Sequence, residues 1–189
     1  MAELQIRYLG APVLRRKART VGRMTSDEQK LLDDMVDTMV AREGIGLAAP
    51  QVGIAKRAIV ARPPECEVIQ LINPEIVERT AETVIGTEGC LSVPGFQGDV
   101  ERHFAIRVKG KGADGKPVEL ELLDFPARVI QHEIDHLDGK LFIDRAIPDS
   151  LQSVDYEDDP ETGEETAVLT PVTLEEIRRF FAQQMRTSS

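Results

Sequence analysis

The sequence predicts an α+β fold, with antiparallel strands first along the middle of the chain, a central helix after them, and a further helix towards each end. Three observations predict it. Apolar residues recur at helical spacing over about 26–42, 125–138 and 173–186. The stretch between the first two helices is cut by prolines and glycines into short aliphatic and β-branched runs. Two of those runs, AIRVKG and PVELELL, alternate apolar and polar residues on either side of Asp114 and Gly115, the pattern of a hairpin with one buried face.

The first helix is expected to open at a capping box of Thr25 and Glu28, to carry Leu31, Leu32, Met35, Val36, Met39 and Val40 as its apolar stripe, and to end before Gly44. Strands are expected near 57–61, 68–72 and 75–85, with Pro63, Pro64 and Pro74 as punctuation. The hairpin follows. The central helix is expected at about 125–138, with Asp124 as N-cap, Pro126 in the first turn and Gly139 just past the end. Thr173 and Glu176 form a second capping box, ahead of Leu174, Ile177, Phe180, Phe181 and Met185 on the apolar side of the last helix. A chain of 189 residues, 41% hydrophobic and 30% charged, fits one domain. It reads as one compact unit followed by an acidic segment at 148–170 and the C-terminal helix.

The net charge of −10 opposes non-specific binding to DNA or an anionic membrane. Eight acids and no base fall within 148–170, so most of that excess lies in one segment, read as a solvated loop. The N-terminus lacks a secretory pattern, and no run approaches the roughly 18 apolar residues of a membrane span. The expectation is a cytoplasmic protein whose cysteines, Cys66 and Cys90, are both free thiols.

The sharpest chemical signal is His132-Glu133-Ile134-Asp135-His136. Residues four apart lie on one helix face, so the two imidazoles can converge on one cation, with Glu133 placed to act on water beside it. The competing explanation is a solvated helix that happens to carry the pattern. The motif alone does not separate a zinc protease from other metallohydrolases. No histidine follows His136 and the next glutamate is Glu157, so Cys90, in Glu88-Gly89-Cys90-Leu91-Ser92, is the better third ligand. Taken singly, a cysteine is more often a small buried hydrophobe. A third segment, Gly44-Ile45-Gly46-Leu47-Ala48-Ala49-Pro50-Gln51, signals close backbone approach, and it lacks the Gly-Lys-Ser/Thr ending of a phosphate loop.

Together these segments resemble the peptide deformylase family, whose motifs read here as GIGLAAPQ, EGCLS and QHEIDHLDG, in that order. RYLGAPVLRRKA is similar to the family's opening segment, so the resemblance covers about residues 5–147. It implies antiparallel sheets surrounding a central metal-binding helix, and hydrolysis of the N-formyl group from N-formylmethionyl peptides during translation. It implies Cys90, His132 and His136 as metal ligands, Glu133 as general acid/base, and the Gln51 amide with the Leu91 N–H as oxyanion donors. The peptide would lie extended along Ile45, Gly46 and Gly89, with its methionine entering an apolar pocket at Ile45 and Val129. Arg128, one turn before His132, is read as an exposed arginine or a substrate contact. Thiolate and imidazole suit Fe, Zn, Ni or Co, and the resemblance implies Fe2+. A last expectation is contact of the C-terminal helix with the ribosome through Arg178, Arg179 and Arg186.

Overall fold

The computed structural model describes residues 3–158 and 165–187. Strands β1 (Gly46–Ala48), β2 (Ala58–Ala61), β3 (Ile69–Arg79), β6 (Ala105–Lys111) and β7 (Pro117–Leu123) form a five-stranded sheet in the order β1-β2-β3-β6-β7. Strands β4 (Thr83–Gly89), β5 (Phe96–His103), β8 (Gln152–Asp158) and β9 (Glu165–Pro171) form a second sheet in the order β4-β5-β8-β9. Every pairing within the sheets is antiparallel. Helices are α1 (Ser26–Ala41), α2 (Asp124–Leu137) and α3 (Leu174–Thr187).

Strand alternation explains how α2 comes to be central. On β2, Ala58 and Val60 face Leu32, Met35 and Met39 of α1 in one apolar cluster. Their neighbours Ile59 and Ala61 face Ala127, Ile130, Ile134 and Leu137 of α2 in another. The sheet is therefore covered on both sides, and α2 also packs against β5 of the second sheet. A third cluster joins Val93, Val100, Leu141 and Phe142 to Ile177 and Phe181 of α3.

The three helices lie within a residue or two of their expected bounds, and the hairpin pairs Ala105 with Leu123 through to Lys111 with Pro117. Its turn places Gly115 at φ 77°, where a side chain would be strained. The box at α3 is complete: Glu176 N–H donates to Thr173 Oγ1 (3.2 Å), and Thr173 N–H donates to the Glu176 carboxylate (2.7 Å).

Other details differ from expectation. Thr25 spends its hydroxyl on the Glu28 carboxylate and does not cap α1. Asp124 is not an N-cap. It is the first residue of α2, at φ 51°, with its N–H donated to Phe104 O (2.7 Å), because the chain turns straight from a strand into the helix. The expected strand at 75–85 is two pieces. The first belongs to β3, which runs on through Pro74 at an irregularity between Ile72 and Glu75, where the missing N–H breaks no ladder bond. The second is β4, in the other sheet. Strands β1 and β5 were not expected.

The acidic segment is also not the loop expected. Its described part forms the β8–β9 hairpin, in which Val154 pairs with Leu169 and Tyr156 with Ala167 while the carboxylates stay in water. A full backbone ladder outweighs the acidic composition. Residues 159–164 of that segment lie outside the described residues.

Candidate metal centre

A helix turns about 100° per residue, so α2 presents separate stripes. Ala127, Ile130, Ile134 and Leu137 form its core stripe. Arg128, His132 and Asp135 form a second, and Val129, Glu133 and His136 a third beside it. The third stripe faces the GIGLAAPQ segment, where Gly46 is required: a Cβ there would lie 2.3 Å from Glu133 Oε1.

Cys90 comes directly after β4 and meets the helix from the other sheet. Its Sγ lies 3.2 Å from His136 Nε2, and the imidazole rings of His132 and His136 are 5.0 Å apart. One ligand atom from each of Cys90, His132 and His136 lies within 4.8 Å of the other two. The amide of Gln51 accepts the Ala48 N–H at Oε1 (2.7 Å), which aims its Nε2 at Cys90 Sγ (3.4 Å). Ser92 N–H also points to that sulfur (3.4 Å). Cys66 and Cys90 are both free thiols.

The electrostatics suit a cation. Burial works to lower the pKa of His132, yet its bonds to Cys90 and Glu88 win and hold it well above the usual value, so positive charge is favoured at this point. Burial pushes His136 well below its usual value and keeps that imidazole neutral. Burial also lifts Glu133 to about 7, which poises its carboxyl to hold or release a proton near neutral pH. Among the described residues, the buried side-chain atoms without a hydrogen-bond partner include Glu133 Oε2 and His136 Nδ1. The Cys90 thiol and the imidazoles of His132 and His136, converging beside the orphaned Glu133 oxygen, fit a site built around a single metal ion.

Ile45, Gly46, Gln51, Gly89, Cys90, Leu91, Val129, His132 and Glu133 all line one cleft of about 380 Å³. His136 sits behind it, 1% exposed. Strand β1, with Gly46, is an edge of the five-stranded sheet, and β4, with Gly89, is an edge of the other. The cleft thus runs between two unpaired strand edges.

Arg128 is not the exposed arginine expected: it is buried and forms part of the cleft wall. Its guanidinium donates to Glu88 (2.9 Å) and to the carbonyls of Val84, Gly86 and Val100, because β4 and β5 close over it. Sequence reasoning missed Glu88, although it stands two residues before Cys90. Its Oε2 accepts from His132 Nδ1 (2.9 Å), and both oxygens are forked by Arg102 (2.9 and 2.8 Å). Burial opposes this charge, but Arg102 and His132 overcome it and hold the carboxyl far below the ordinary range. Nothing local in the sequence marks Arg102, which comes from β5.

An α+β fold with a central helix offering two imidazoles, a cysteine opposite, and a buried carboxylate in the same cleft defines a metallohydrolase-type protein. The profile of the polypeptide deformylase family matches residues 3–152. A peptide deformylase of Halothermothrix orenii is 51% identical over 148 residues, covering 78% of this chain and 96% of the relative. The crystal structure of the Thermotoga maritima peptide deformylase superposes with a TM-score of 0.76 at 43% identity, covering 78% of this chain and all of that one. That of a Synechococcus elongatus peptide deformylase in complex with actinonin gives 0.74 at 42%, covering 78% and 84%. The chain belongs to the polypeptide deformylase family.

Proposed function

We propose that the chain performs its family's reaction, hydrolytic removal of the formyl group from N-formylmethionyl polypeptides, with Cys90, His132 and His136 holding one Fe2+ ion. The observation that carries this reading is the convergence of their three ligand atoms within 4.8 Å beside the buried Glu133. When bound, the cation supplies Lewis acidity, making hydroxide available near neutral pH and polarising the formyl oxygen.

The chain's own residues do the rest. Glu133 takes a proton from the attacking water and returns it to the departing amine, a task suited to a carboxyl with a pKa of about 7. The Gln51 amide and the Leu91 N–H steady the negative charge that develops on the formyl oxygen. The peptide lies extended in the cleft, adding to the open edge at Ile45 and Gly46 and passing Gly89, with its methionine side chain against Ile45 and Val129. Glu88, itself gripped by Arg102 and Arg128, holds His132 by Nδ1 so that its other ring nitrogen is free to ligate. Residues 5–147 carry this chemistry within one domain.

A cytoplasmic location follows from a nascent-chain substrate, and among the described residues no helix is long and apolar enough to cross a membrane. Contact with ribosomal RNA through Arg178 and Arg186 is a separate proposal, since Arg179 is engaged by Glu175 (3.1 Å). Unchanged co-sedimentation with ribosomes after deletion of residues 173–189 removes it.

The test of the main reading is formate release from formyl-Met-Ala-Ser, with metal content determined on the same sample. Release from the formylated peptide alone, lost in Glu133→Ala, is the expected result. Cleavage of the unformylated peptide would replace deformylation with endopeptidase activity. An iron-loaded sample is expected to inactivate in air faster than a nickel-loaded one, since thiolate-bound iron invites oxidation, and equal lifetimes speak against iron as the working ion.

A further inference from the structure

Asp135 belongs to the metal-motif helix but lies outside the cleft, and no step above uses it. Its carboxylate is buried between two arginines. Arg145 forks onto it from the solvent side, with Nη2 2.7 Å from Oδ1 and Nε bonded to Oδ2. From the protein side Arg102 reaches Oδ2 with Nη1. The remaining donors of Arg102 are those forked onto Glu88, whose Oε2 is bonded to His132 Nδ1. The side chains therefore form a closed ring. It leaves α2 at His132, passes through Glu88 on β4 and Arg102 on β5, and returns to α2 at Asp135, three residues further on.

A guanidinium is planar and rigid, so its orientation is set once two of its edges are occupied. Asp135 occupies one edge, and this fixes the plane in which the other edge grips Glu88. Glu88 in turn orients the ring of His132 and stands two residues before Cys90 at the end of β4. The ring thus ties the strand that delivers the sulfur to the helix that delivers both imidazoles.

We propose that Asp135 is a positioning residue of the metal centre, acting through Arg102 and Glu88 to hold Cys90 in register with His132 and His136 and so to set affinity for the cation. This rests on the reading that those three residues hold the ion. Arg145 meets the ring at Asp135, so it braces the carboxylate without transmitting its position.

The experiment titrates the metal-free, full-length chain with Co2+ against a competing chelator. It reads affinity and the thiolate-to-cobalt absorption band, with the metal-free melting temperature of each variant alongside. Outer partners of metal ligands typically affect affinity by about 10- to 100-fold. Asp135→Asn and Arg102→Lys are expected to weaken Co2+ binding by about that range and to shift the band, while Arg145→Met stays within about twofold, although it too loses an ion pair to Asp135. If Arg102→Lys does not fold, Asp135→Asn decides alone. Wild-type affinity and an unchanged band in Asp135→Asn overturn the inference, as does an Arg145→Met loss equal to that of Asp135→Asn, since affinity would then follow general stability. His132→Ala is the separate control. If it binds Co2+ as the wild type does, the ligand assignment itself has failed and the inference falls with it.

Discussion

Two neighbouring stripes of α2 are both largely buried and oppositely furnished. On one, Arg128, His132 and Asp135 have their polar heads bonded to Glu88, Arg102, Arg145 or strand carbonyls. On the other, beside the cleft, Glu133 Oε2 and His136 Nδ1 have no partner. An unsatisfied buried polar atom costs roughly 1–3 kcal/mol, so a fold keeps one where it is used. The contrast teaches that the two stripes divide the work. The saturated stripe fixes the ring of His132 through its Nδ1, and the other leaves the Glu133 carboxylate open to a proton.

The largest break in this contrast comes from Glu133→Ala. Formate release should fall by about 10²–10⁴-fold in kcat, the usual worth of a positioned acid/base, while metal analysis finds the ion retained. Loss of the ion as well would move Glu133 into the ligand set. Next in size is Arg128→Met, which strips a partner from Glu88 and from three carbonyls on the saturated side. Removing one member of a buried ion pair costs about 3 kcal/mol at the low end, the end expected because Arg102 still grips Glu88; the urea midpoint reads it. Gly46→Ala sharpens the picture from the cleft side. A methyl 2.3 Å from Glu133 Oε1 must displace the carboxylate. Because a misplacement of about 1 Å costs about 10²-fold, steady-state kinetics should show a kcat loss of that order in a protein that still melts near the wild-type temperature.

The smallest effect lies away from both stripes and serves as a control. Glu28 on α1 is bonded to Lys56 (2.7 Å) and to Thr25, which draw its carboxyl down from 4.5 to about 2. The unfolded chain then binds the proton more readily. This contribution is complete above pH 4.5 and is lost as pH falls towards 2, in step with the shift of that carboxyl. Glu28→Gln should flatten the acid limb of melting temperature against pH slightly, since Lys56 is half in water, and leave deformylation at neutral pH unchanged.

Legibility in the sequence followed the range of each interaction. Periodicity and caps are local, so α1, α2 and α3 and the β6–β7 hairpin were readable to within a residue or two. The acidic composition of 148–170 misled, because a β ladder depends on backbone pairing and on what Val154 and Tyr156 meet across it, not on net charge. Asp124 misled as a cap because the helix starts one residue earlier, with Leu123 at the cap position and Asp124 already in the first turn. At the site, His132, Glu133 and His136 were readable from helical spacing. Cys90 was a candidate because no further histidine follows His136, whereas Gln51 needed family resemblance, since one glutamine carries no periodicity. Glu88, Arg102 and the burial of Arg128 were not readable at all.

By itself, then, the sequence determined the three helices and the β6–β7 hairpin, the placing of two imidazoles and a carboxylate on one of those helices, and the family to which the chain belongs. Only the tertiary structure decided which side chains surround them: the sulfur 3.2 Å from His136, the glycine pressed against Glu133, and the ring that returns from His132 to Asp135 through two strands. The reason is physical. Helix and turn preferences are set by neighbours a few residues away, whereas burial, pKa and hydrogen-bond satisfaction depend on partners that the chain brings together from tens of residues apart.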